Sequence, residues 1–434
     1  MTRIVAIDGH NLALQQGTGV ATYARNLANN IDEMGWDVWT LYGAPIPRRL
    51  PPILREISFF DYLGGASSSK NKFAQTCGWI RHSLTSPFGY RADEVQLSGH
   101  VETRRFVDRL PQRSTIFNIE SLFGISRQYF QRHKKFLEIR FQNPPDVMHW
   151  TYPLPIRVAG VPNIYTIHDL VPLRLPYTTL DNRRYYYRLI KHCVTTGDHI
   201  CTVSERSRRD IAEMFGTSGS IITNTYQAVD TTREVAGKSQ REAELEVLGI
   251  YGLEPEKYFL FFGAIEPKKN VGRLIEAFLS TQVKARLVIV GAPAWKSGEE
   301  MKLLDSIVKQ RRDLKERIQI FDYAPRPFLL SLIRSAKAVV FPSLYEGFGL
   351  PALEAMQLGT PTLCSSEGAL PEIVGDASLS VNPYDVKSIA AGLRILDEDE
   401  GVRRALVAAG FERAKLFGPA AYRGRLLRMY QNSF

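Results

Sequence analysis

Short apolar runs alternate with amphipathic stretches along most of the chain. In the second half the runs are typical of buried strands, and the stretches between them have the spacing of helices. The predicted strands are Tyr258–Gly263, Arg286–Gly291, Ile318–Phe321, Ala338–Phe341 and Pro361–Cys364, and the predicted helices are Val271–Leu279, Glu299–Arg311, Phe328–Ala336 and Pro351–Leu358. Strands that alternate with helices predict a parallel sheet with helices on both faces.

The first half has the same alternation with one long interruption. Its predicted elements are Arg3–Asp8, Gly19–Met34, Asp37–Leu41, Val147–Trp150, Asn163–His168, Arg183–Thr196, Ile200–Val203 and a helix that starts at Glu205. We therefore predict an α/β protein with two doubly wound domains that face each other across a cleft. The predicted boundaries are an N-terminal domain over 1–230 with an insert at about 43–145, a polar linker over 231–257, a C-terminal domain over 258–416, and a helix over 417–434 that packs back on the first domain.

The composition excludes several classes of protein. Of the 434 residues, 44% are hydrophobic and 23% are charged, which excludes a disordered or collagen-like chain. No apolar run is long enough to predict a membrane-spanning helix. An acid, Asp8, follows so soon after Met1 that the start resembles a first strand, not a signal peptide. The four cysteines lack metal-like spacing, so we predict a reducing, cytoplasmic setting.

The charge is unevenly distributed. The net charge is +10, and the segment from Arg48 to Arg140 contains 16 lysine and arginine residues against 8 acids. Such a segment is typical of a surface that binds nucleic acid, an anionic membrane or a phosphorylated substrate, or of a solvated face. Within it, Phe123–Phe141 can form an amphipathic helix, which lies either in a membrane interface or against the N-terminal sheet.

The strongest candidate for chemistry is the loop that follows the predicted strand Ala338–Phe341. Gly347 and Gly349 allow a close approach of backbone to a ligand, and Pro351 suits the first turn of a helix. A helix N-terminus at this point attracts phosphate. Glu346 and Glu354, eight positions apart, suit sugar hydroxyls better than phosphate.

Three more loops follow predicted strands or open predicted helices. Gly263–Asn270 carries two adjacent lysines that suit a diphosphate, with Asn270 as a helix cap. Thr166–Pro172 carries His168 and Asp169, and the turn before the first helix carries Gly17 and Gly19. His10, just after the first strand, is a candidate substrate contact.

These strings resemble motifs of glycosyltransferase family 4, retaining enzymes of the GT-B fold that use nucleotide sugars. The resemblance rests on the Glu-x7-Glu signature at Glu346–Glu354, on Glu-Pro-x-Lys-Asn at Glu266–Asn270 and on Thr-x-His-Asp at Thr166–Asp169. It implies that three residues are catalytic: Glu346 contacts the hydroxyls of the donor sugar, His168 faces that sugar across the cleft, and Lys269 neutralises the leaving diphosphate. It implies in addition that Glu354 binds the ribose. The resemblance also implies that the backbone of Gly347, Phe348, Gly349 and Leu350 holds the diphosphate and the sugar. By the same resemblance Gly17 and Gly19 lie near the diphosphate and the acceptor, and Lys268 contributes to donor binding. Ala264 and Lys268 depart from the arginines that many relatives carry.

The resemblance further implies a hexosyl transfer from a nucleotide-diphosphate sugar, with GDP-mannose favoured and a UDP-sugar as the alternative. The expected acceptor is a glycan or lipid-linked saccharide of a bacterial surface polysaccharide. The resemblance also implies that no metal or other cofactor is needed. Asp397 and Asp399, which match the Asp-x-Asp pattern of metal-dependent transferases, lie at a helix start away from the strand-end loops. A nicotinamide enzyme requires a third glycine after the first strand, so we do not expect one. A basic nucleic-acid-binding protein is a remote alternative, because the charge is concentrated in one segment and not along a recognisable reading motif.

Overall fold

A computed structural model describes residues 2–14, 19–65, 90–106, 109–111, 113–231, 234–294 and 316–431. Its first sheet has eight strands in the order β11-β10-β9-β7-β1-β2-β5-β4, parallel except for the antiparallel edge strand β4. These strands are β1 (Ile4–Asp8), β2 (Asp37–Tyr42), β4 (Asp93–Glu94), β5 (Ser114–Asn118), β7 (Val147–Trp150), β9 (Asn163–Ile167), β10 (His199–Thr202) and β11 (Ile222–Asn224).

The second sheet has six parallel strands in the order β14-β13-β12-β15-β16-β17. They are β12 (Tyr258–Phe262), β13 (Arg286–Val290), β14 (Ile318–Phe321), β15 (Ala338–Phe341), β16 (Thr362–Ser365) and β17 (Leu379–Val381). Phe259 in β12 is opposite Leu287 in β13 and Ala338 in β15, so the central strand is hydrogen-bonded on both edges. Every residue of β12 is buried, as expected for a strand covered on both faces by helices.

The described helices connect and cover these strands. They are α1 (Gly19–Glu33), α2 (Pro52–Gly64), α3 (Leu122–His133), α4 (Val171–Arg174), α5 (Arg183–Thr196), α6 (Glu205–Phe215), α7 (Gln240–Tyr251), α8 (Val271–Leu279), α9 (Arg326–Ser335), α10 (Leu350–Gln357), α11 (Leu370–Val374), α12 (Val386–Glu398), α13 (Glu400–Lys415) and α14 (Pro419–Gln431). In the part of the chain that is described, none of them is both long and apolar enough to cross a membrane. The predicted helix Glu299–Arg311, the polar loop Ser67–Lys72 and Cys77 lie outside the described residues.

The segment predicted as an insert, 43–145, contributes directly to the first sheet. Its strand β5 pairs in parallel with β2, and β4 pairs with β5. A small sheet, β3-β6-β8, joins Tyr90–Arg91 and Leu137–Arg140 of the segment to Ile156–Val158. The sheet thus extends well beyond the part that periodicity indicated.

The amphipathic helix predicted over Phe123–Phe141 is too long. Helix α3 ends at His133, because Lys134 adopts a left-handed conformation (φ 57°), and the chain then enters strand β6. Leu122 and Phe130 are buried in the core of the first domain. Between insertion into a membrane interface and packing against the protein, the structure therefore shows packing for these apolar side chains.

The segment predicted as a polar linker between the two sheets contains a helix. Helix α7 buries only Ala243 and Val247 and packs against α9 of the second sheet. It begins with a capping box in which Ser239 and Glu242 each bond to the other's backbone N–H. Much of the predicted linker is thus part of the second half of the molecule.

Helix α14 lies against the first sheet's half of the molecule. Tyr422, Leu426, Met429 and Tyr430 are buried. The Tyr430 hydroxyl lies 2.6 Å from Nδ1 of His149, a fully buried residue of β7. The chain therefore returns to the first half after completing the second.

Candidate active site

Each sheet changes its direction of winding at one point, and the loops of interest lie at these two points. In the second sheet this point falls between β12 and β15, and in the first between β1 and β7. Ligands of open α/β sheets bind at the carboxyl ends of strands flanking such a point. The candidate motifs thus meet for a topological reason.

The loop after β15 comes into contact with the loop after β9 across the cleft. A Cβ atom on Gly347 would lie 2.8 Å from the carbonyl oxygen of His168 and 2.9 Å from Cβ of Asp169, so only glycine fits. Gly349 has φ of +124°, and a Cβ there would meet Leu370 at 2.7 Å. The two glycines are required by close packing and by backbone conformation, respectively.

Helix α10 starts at Leu350 directly after this loop, with Pro351 in its first turn. Its N-terminus faces the start of α1, since a Cβ on Gly19 would lie 3.9 Å from Cδ1 of Leu350. The predicted diphosphate loop and the first helix are thus neighbours, whereas Gly17 lies outside the described residues. Phe348 is buried and packs near Tyr226 and Phe417, so its side chain belongs to the junction between the two halves.

A buried ion pair joins the two strand-end loops of the second sheet. Nζ of Lys269 lies 2.6 Å from Oε1 of Glu346, and both side chains are almost entirely shielded from solvent. Burial by itself would raise the pKa of Glu346, but the charges of Lys269 and Lys268 outweigh it and lower the pKa. Glu346 is therefore a carboxylate at neutral pH.

Lys268, about one-fifth exposed, lies near the same carboxylate. Burial would lower its pKa, but the charges of Glu346, Asp169 and Glu266 raise it, so the side chain is a cation. Its Nζ lies 3.5 Å from Oε1 of Glu266, and its backbone carbonyl accepts a hydrogen bond from Leu344. The loop after β12 thus presents two cations to the loop after β15.

The prediction that Asn270 caps the next helix with its side chain is wrong, because its side chain makes no capping hydrogen bond to α8. It adopts a left-handed conformation (φ 61°), and its amide donates to the carbonyl oxygens of Pro342 at 2.9 Å and Pro383 at 2.7 Å. Asn270 therefore ties the two loops together instead of satisfying the helix.

His168 is partly buried and neutral at the cleft. Its Nε2 donates to the carbonyl oxygen of Thr151 at 2.9 Å, and the ring of Tyr23 packs edge-on against it at 4.8 Å. Burial lowers its pKa, although the bond to Thr151 and the charge of Asp169 act in the opposite direction. The bond to Thr151 fixes the tautomer and leaves Nδ1 as the acceptor.

The first sheet has a corresponding feature at its own switch point. Asp8 ends β1, is fully buried, and accepts hydrogen bonds from the backbone N–H groups of Thr151 and His10. Burial raises its pKa to about 6 despite those bonds. The pKa of His10 is lowered by burial to about 4, and its ring packs on Phe123.

Glu354 is buried on the second turn of α10 and is paired with Arg326, a residue that motif analysis missed. Nη1 of Arg326 lies 3.0 Å from Oε2 of Glu354. The only sequence signal for Arg326 is its place shortly after the predicted strand Ile318–Phe321, where ligand-binding loops are expected. Burial raises the pKa of Glu354, and Arg326 opposes that effect.

Contacts between the two halves surround the site. The carboxylate of Glu372 accepts hydrogen bonds from the N–H groups of Glu205 (3.0 Å) and Arg206 (2.9 Å) at the start of α6. The Tyr345 hydroxyl donates to Asp210, which is buried. Neither contact corresponds to a sequence motif, because both depend on how the two halves dock.

The acidic run at Asp397–Asp399 has structural roles. Asp397 pairs with Lys337 at 2.6 Å, and Asp399 accepts from Val402 N–H at the start of α13. Within the described ranges, no group of three or more His, Cys, Asp or Glu side chains could hold a metal ion.

Comparison with known proteins gives two family matches on successive parts of the chain. A family described as "Glycosyltransferase Family 4" matches residues 95–233, and one described as "Glycosyl transferases group 1" matches residues 246–413. The first match contains strands β5, β7, β9, β10 and β11 of the first sheet. The second contains all six strands of the second sheet and the loops that carry Lys269 and Glu346.

Two relatives and one solved structure illustrate the similarity. The chain is 33% identical over 259 residues to O-antigen chain mannosyltransferase B of Escherichia coli, covering 58% of this chain and 66% of that protein. It is 28% identical over 273 residues to serotype-specific mannosyltransferase WbdA of Escherichia coli, covering 62% of this chain and 33% of that protein. The chain thus spans less than two thirds of either relative. Anabaena HepE, solved with UDP and glucose, superposes with a TM-score of 0.66 over the full length of both chains at 13% identity.

Proposed function

Since this chain belongs to glycosyltransferase family 4 and has the GT-B fold, we propose that it transfers a hexosyl group, with retention of configuration, from a nucleotide-diphosphate sugar. The donor we favour is GDP-mannose, and the acceptor is a glycan or lipid-linked saccharide of a bacterial surface polysaccharide. Support for mannose comes from the two Escherichia coli relatives, both named as mannosyltransferases. A UDP-sugar is the second candidate, because HepE binds UDP in the same fold.

The observation that carries the proposal is the pair of Lys269 and Glu346 beside the start of α10. A leaving diphosphate gains negative charge as its bond to the sugar breaks, and fixed cations plus a helix N-terminus stabilise that charge. Lys269 and Lys268 are the cations, and the carboxylate of Glu346 is placed to accept sugar hydroxyls. The buried setting strengthens each of these interactions, because little water screens them.

The proposed transfer step requires no protein nucleophile. The bond between the anomeric carbon and the diphosphate oxygen breaks, and its electron pair leaves with the diphosphate. The acceptor hydroxyl forms the new bond on the same face of the sugar and gives its proton to a departing phosphate oxygen. His168, opposite Gly347, would line the donor-sugar side of this cleft, and its Nδ1 would accept from a hydroxyl.

A nucleotide-sugar panel tests the proposal. We expect turnover with GDP-mannose, a product whose anomeric proton shows retention by NMR, and undiminished rates in EDTA, since no metal is proposed. Glu346→Gln should reduce kcat by about a hundredfold, because it removes a charge-assisted contact to the reacting sugar. Glu398→Gln, at an exposed carboxylate outside the cleft, is the control. Wild-type rates in a folded Glu346→Gln protein would contradict the assignment.

We also propose that the protein binds the anionic surface of a membrane through the exposed face of α3 and α5, which we call the α3–α5 face. The segments 122–135 and 183–196 contain eight lysine and arginine residues and no acid. The two helices are adjacent, since the ring of Phe130 lies 5.7 Å from Tyr185 and 5.8 Å from His192. The basic residues are all exposed: Arg127, Arg132, Lys134, Lys135, Arg183, Arg184, Arg188 and Lys191.

The α3–α5 face lies beside the cleft. Tyr186 of α5 donates a hydrogen bond to the carbonyl oxygen of Asp169, next to His168. A membrane on this face would bring a lipid-linked acceptor close to the loop after β9. Because the apolar side chains of α3 are buried or partly buried against the protein, we expect electrostatic binding, with about 1 kcal/mol for each basic residue near the surface.

Vesicle flotation tests the membrane proposal. Binding to phosphatidylglycerol vesicles should be strong at low salt and decrease with added salt, and phosphatidylcholine vesicles should not bind. Charge reversal at Arg132, Lys134 and Lys135 should abolish binding. Reversal of Arg394, Arg404 and Lys415, on the other half of the molecule, is the matched control. Equal flotation of the two triple variants would overturn the proposal.

A further inference from the structure

A chain of three charged side chains connects the buried carboxylate of Glu354 to the segment between the two sheets. Arg326 donates to Oε2 of Glu354 at 3.0 Å and forms a forked contact with Glu234, Nε to Oε2 and Nη2 to Oε1, both at 2.9 Å. Glu354 is nearly buried, whereas Arg326 and Glu234 are each about two-fifths exposed. The guanidinium is thus held in one orientation by its outer partner and presents one N–H to its inner partner.

This arrangement leaves Glu354 with one oxygen engaged. Within the described residues, Arg326 is the side chain that contacts its carboxylate, and it does so through Oε2 alone. Oε1 can then accept from a second donor. A carboxylate held in this way is prepared to receive a hydroxyl group without losing its own ion pair.

The same helix is attached to the connecting segment at a second point. Gln357 accepts from the backbone N–H and the hydroxyl of Thr231, each at 2.9 Å, and donates to the carbonyl oxygen of Val229 at 2.6 Å. Gln357 lies one turn beyond Glu354 on α10. Val229 and Thr231 therefore contact directly the helix that starts at the proposed diphosphate site, and Glu234 is connected to it through Arg326.

We propose that Arg326 is a positioning residue of the nucleotide site: held by Glu234, it orients the carboxylate of Glu354 toward a ribose hydroxyl of the donor. This inference rests on the proposed function, in which Glu354 binds the ribose. Its physical basis is that an unpaired buried carboxylate is costly and takes up a proton, which removes its capacity as a hydroxyl acceptor. Arg326 opposes that outcome and fixes the direction of the free oxygen.

The test compares nucleotides that have or lack ribose hydroxyls. Calorimetry with GDP and with 2′,3′-dideoxy-GDP, and with the UDP pair in parallel, gives a discrimination ratio for each variant. We expect the wild type to prefer the ribonucleotide by about tenfold or more, since a hydrogen bond to a charged group is lost in the analogue. Arg326→Gln should reduce the ratio to about twofold or less, while affinity for the dideoxynucleotide changes little. A loss of affinity for both nucleotides equally would indicate a merely structural role and overturn the proposal.

The matched control is Arg334→Gln. Arg334 is on the same helix and also contacts the connecting segment, through the carbonyl oxygen of Lys238 at 2.8 Å, but it has no contact with Glu354 among the described residues. It should keep the wild-type ratio. Should Arg326→Gln fail to fold, Arg326→Lys decides the question, because lysine keeps the charge but cannot form the fork and still reach Glu354. An unchanged ratio in Arg326→Lys would then overturn the proposal.

Two further measurements separate this inference from the function on which it rests. Glu354→Gln should lose the same discrimination, and the double variant with Arg326→Gln should be no worse than Glu354→Gln alone. In Arg326→Gln the ratio should recover as the pH is raised, because the fraction of ionised Glu354 then increases. If the wild type binds neither nucleotide, or Glu354→Gln discriminates normally, the ribose assignment fails. If only Arg326→Gln behaves as wild type, the assignment stands and the role of Arg326 is refuted.

Discussion

Lys269 has two tasks in the structure, and its removal should separate them. It is a cation at the proposed diphosphate site, and it is the ion-pair partner of Glu346. Lys269→Ala should weaken binding of GDP by about tenfold to a hundredfold, as expected for a lost charge-assisted hydrogen bond. It should also raise the pKa of Glu346, because Lys268 is then the remaining lysine whose charge opposes the effect of burial.

The second effect has a definite sign in the pH profile. Glu346 has a lowered pKa in the wild type, so activity should decline only well on the acid side of neutrality. In Lys269→Ala the acid limb of kcat/KM should move to higher pH. Lys257→Ala, at an exposed lysine, is the control for both measurements. An acid limb that stays in place would show that Lys269 does not control the ionisation of Glu346.

The sequence predicted which loops carry the candidate residues, but not which of those residues pair with each other. The strings around Glu346 and Lys269 indicated phosphate and sugar chemistry, and the structure places both side chains on one pair of loops. That they contact each other depends on Asn270 tying the loops together. Arg326 matched no motif, since its partners are 28 and 92 positions away.

At the scale of elements, helix α6 is capped by two different parts of the molecule. Ser204, just before it, accepts from Ser207 N–H at 3.1 Å, and Glu372 of α11 accepts from the two N–H groups between them. The first cap is local, whereas the second exists only while the two halves are in contact. The carboxylate of Glu372 also complements the helix dipole.

Glu372→Ala should therefore loosen the junction between the halves, whereas Ser204→Ala should destabilise the helix alone. Each substitution should cost about 1 kcal/mol of unfolding free energy, as caps usually do. Small-angle X-ray scattering should show a larger radius of gyration for Glu372→Ala and an unchanged one for Ser204→Ala. Identical scattering of the two variants would mean that Glu372 does not hold the halves together.

The elements that the sequence predicted are those with strong periodicity. Continuous apolar runs fixed β12, β13, β14 and β15 to within one residue of their observed ends. Helix α2 escaped prediction because Ile53, Leu54 and Ile57 are exposed, so its apolar positions do not mark one face. Helix α7 was not predicted because it buries only two side chains, Ala243 and Val247, which are too few to give an apolar periodicity.

At the scale of the whole molecule, helix α14 joins the last residues to the first sheet. Arg423 lies 3.3 Å from Oδ1 of Asn30 and pairs with Glu33, both on α1, and Tyr430 pairs with His149. Tyr430→Phe should reduce the free energy of unfolding by about 1 kcal/mol or more, because it leaves a buried imidazole nitrogen without its partner. Chemical denaturation measures this, with Tyr384→Phe, at a half-exposed tyrosine, as the control. Equal stability of the two variants would contradict a role for this bond.

The return of α14 also restricts how such a protein can recombine. The half that carries Glu346 is bounded by chain crossings on both sides, one between β11 and β12 and the other between α13 and α14. A gene crossover at the first crossing alone would join a foreign terminal helix to α1 and place an unmatched surface against Tyr23 and His149. A chimera that exchanges donor specificity therefore needs two junctions, with the last 13 described residues, Pro419–Gln431, inherited from the parent that supplies β1.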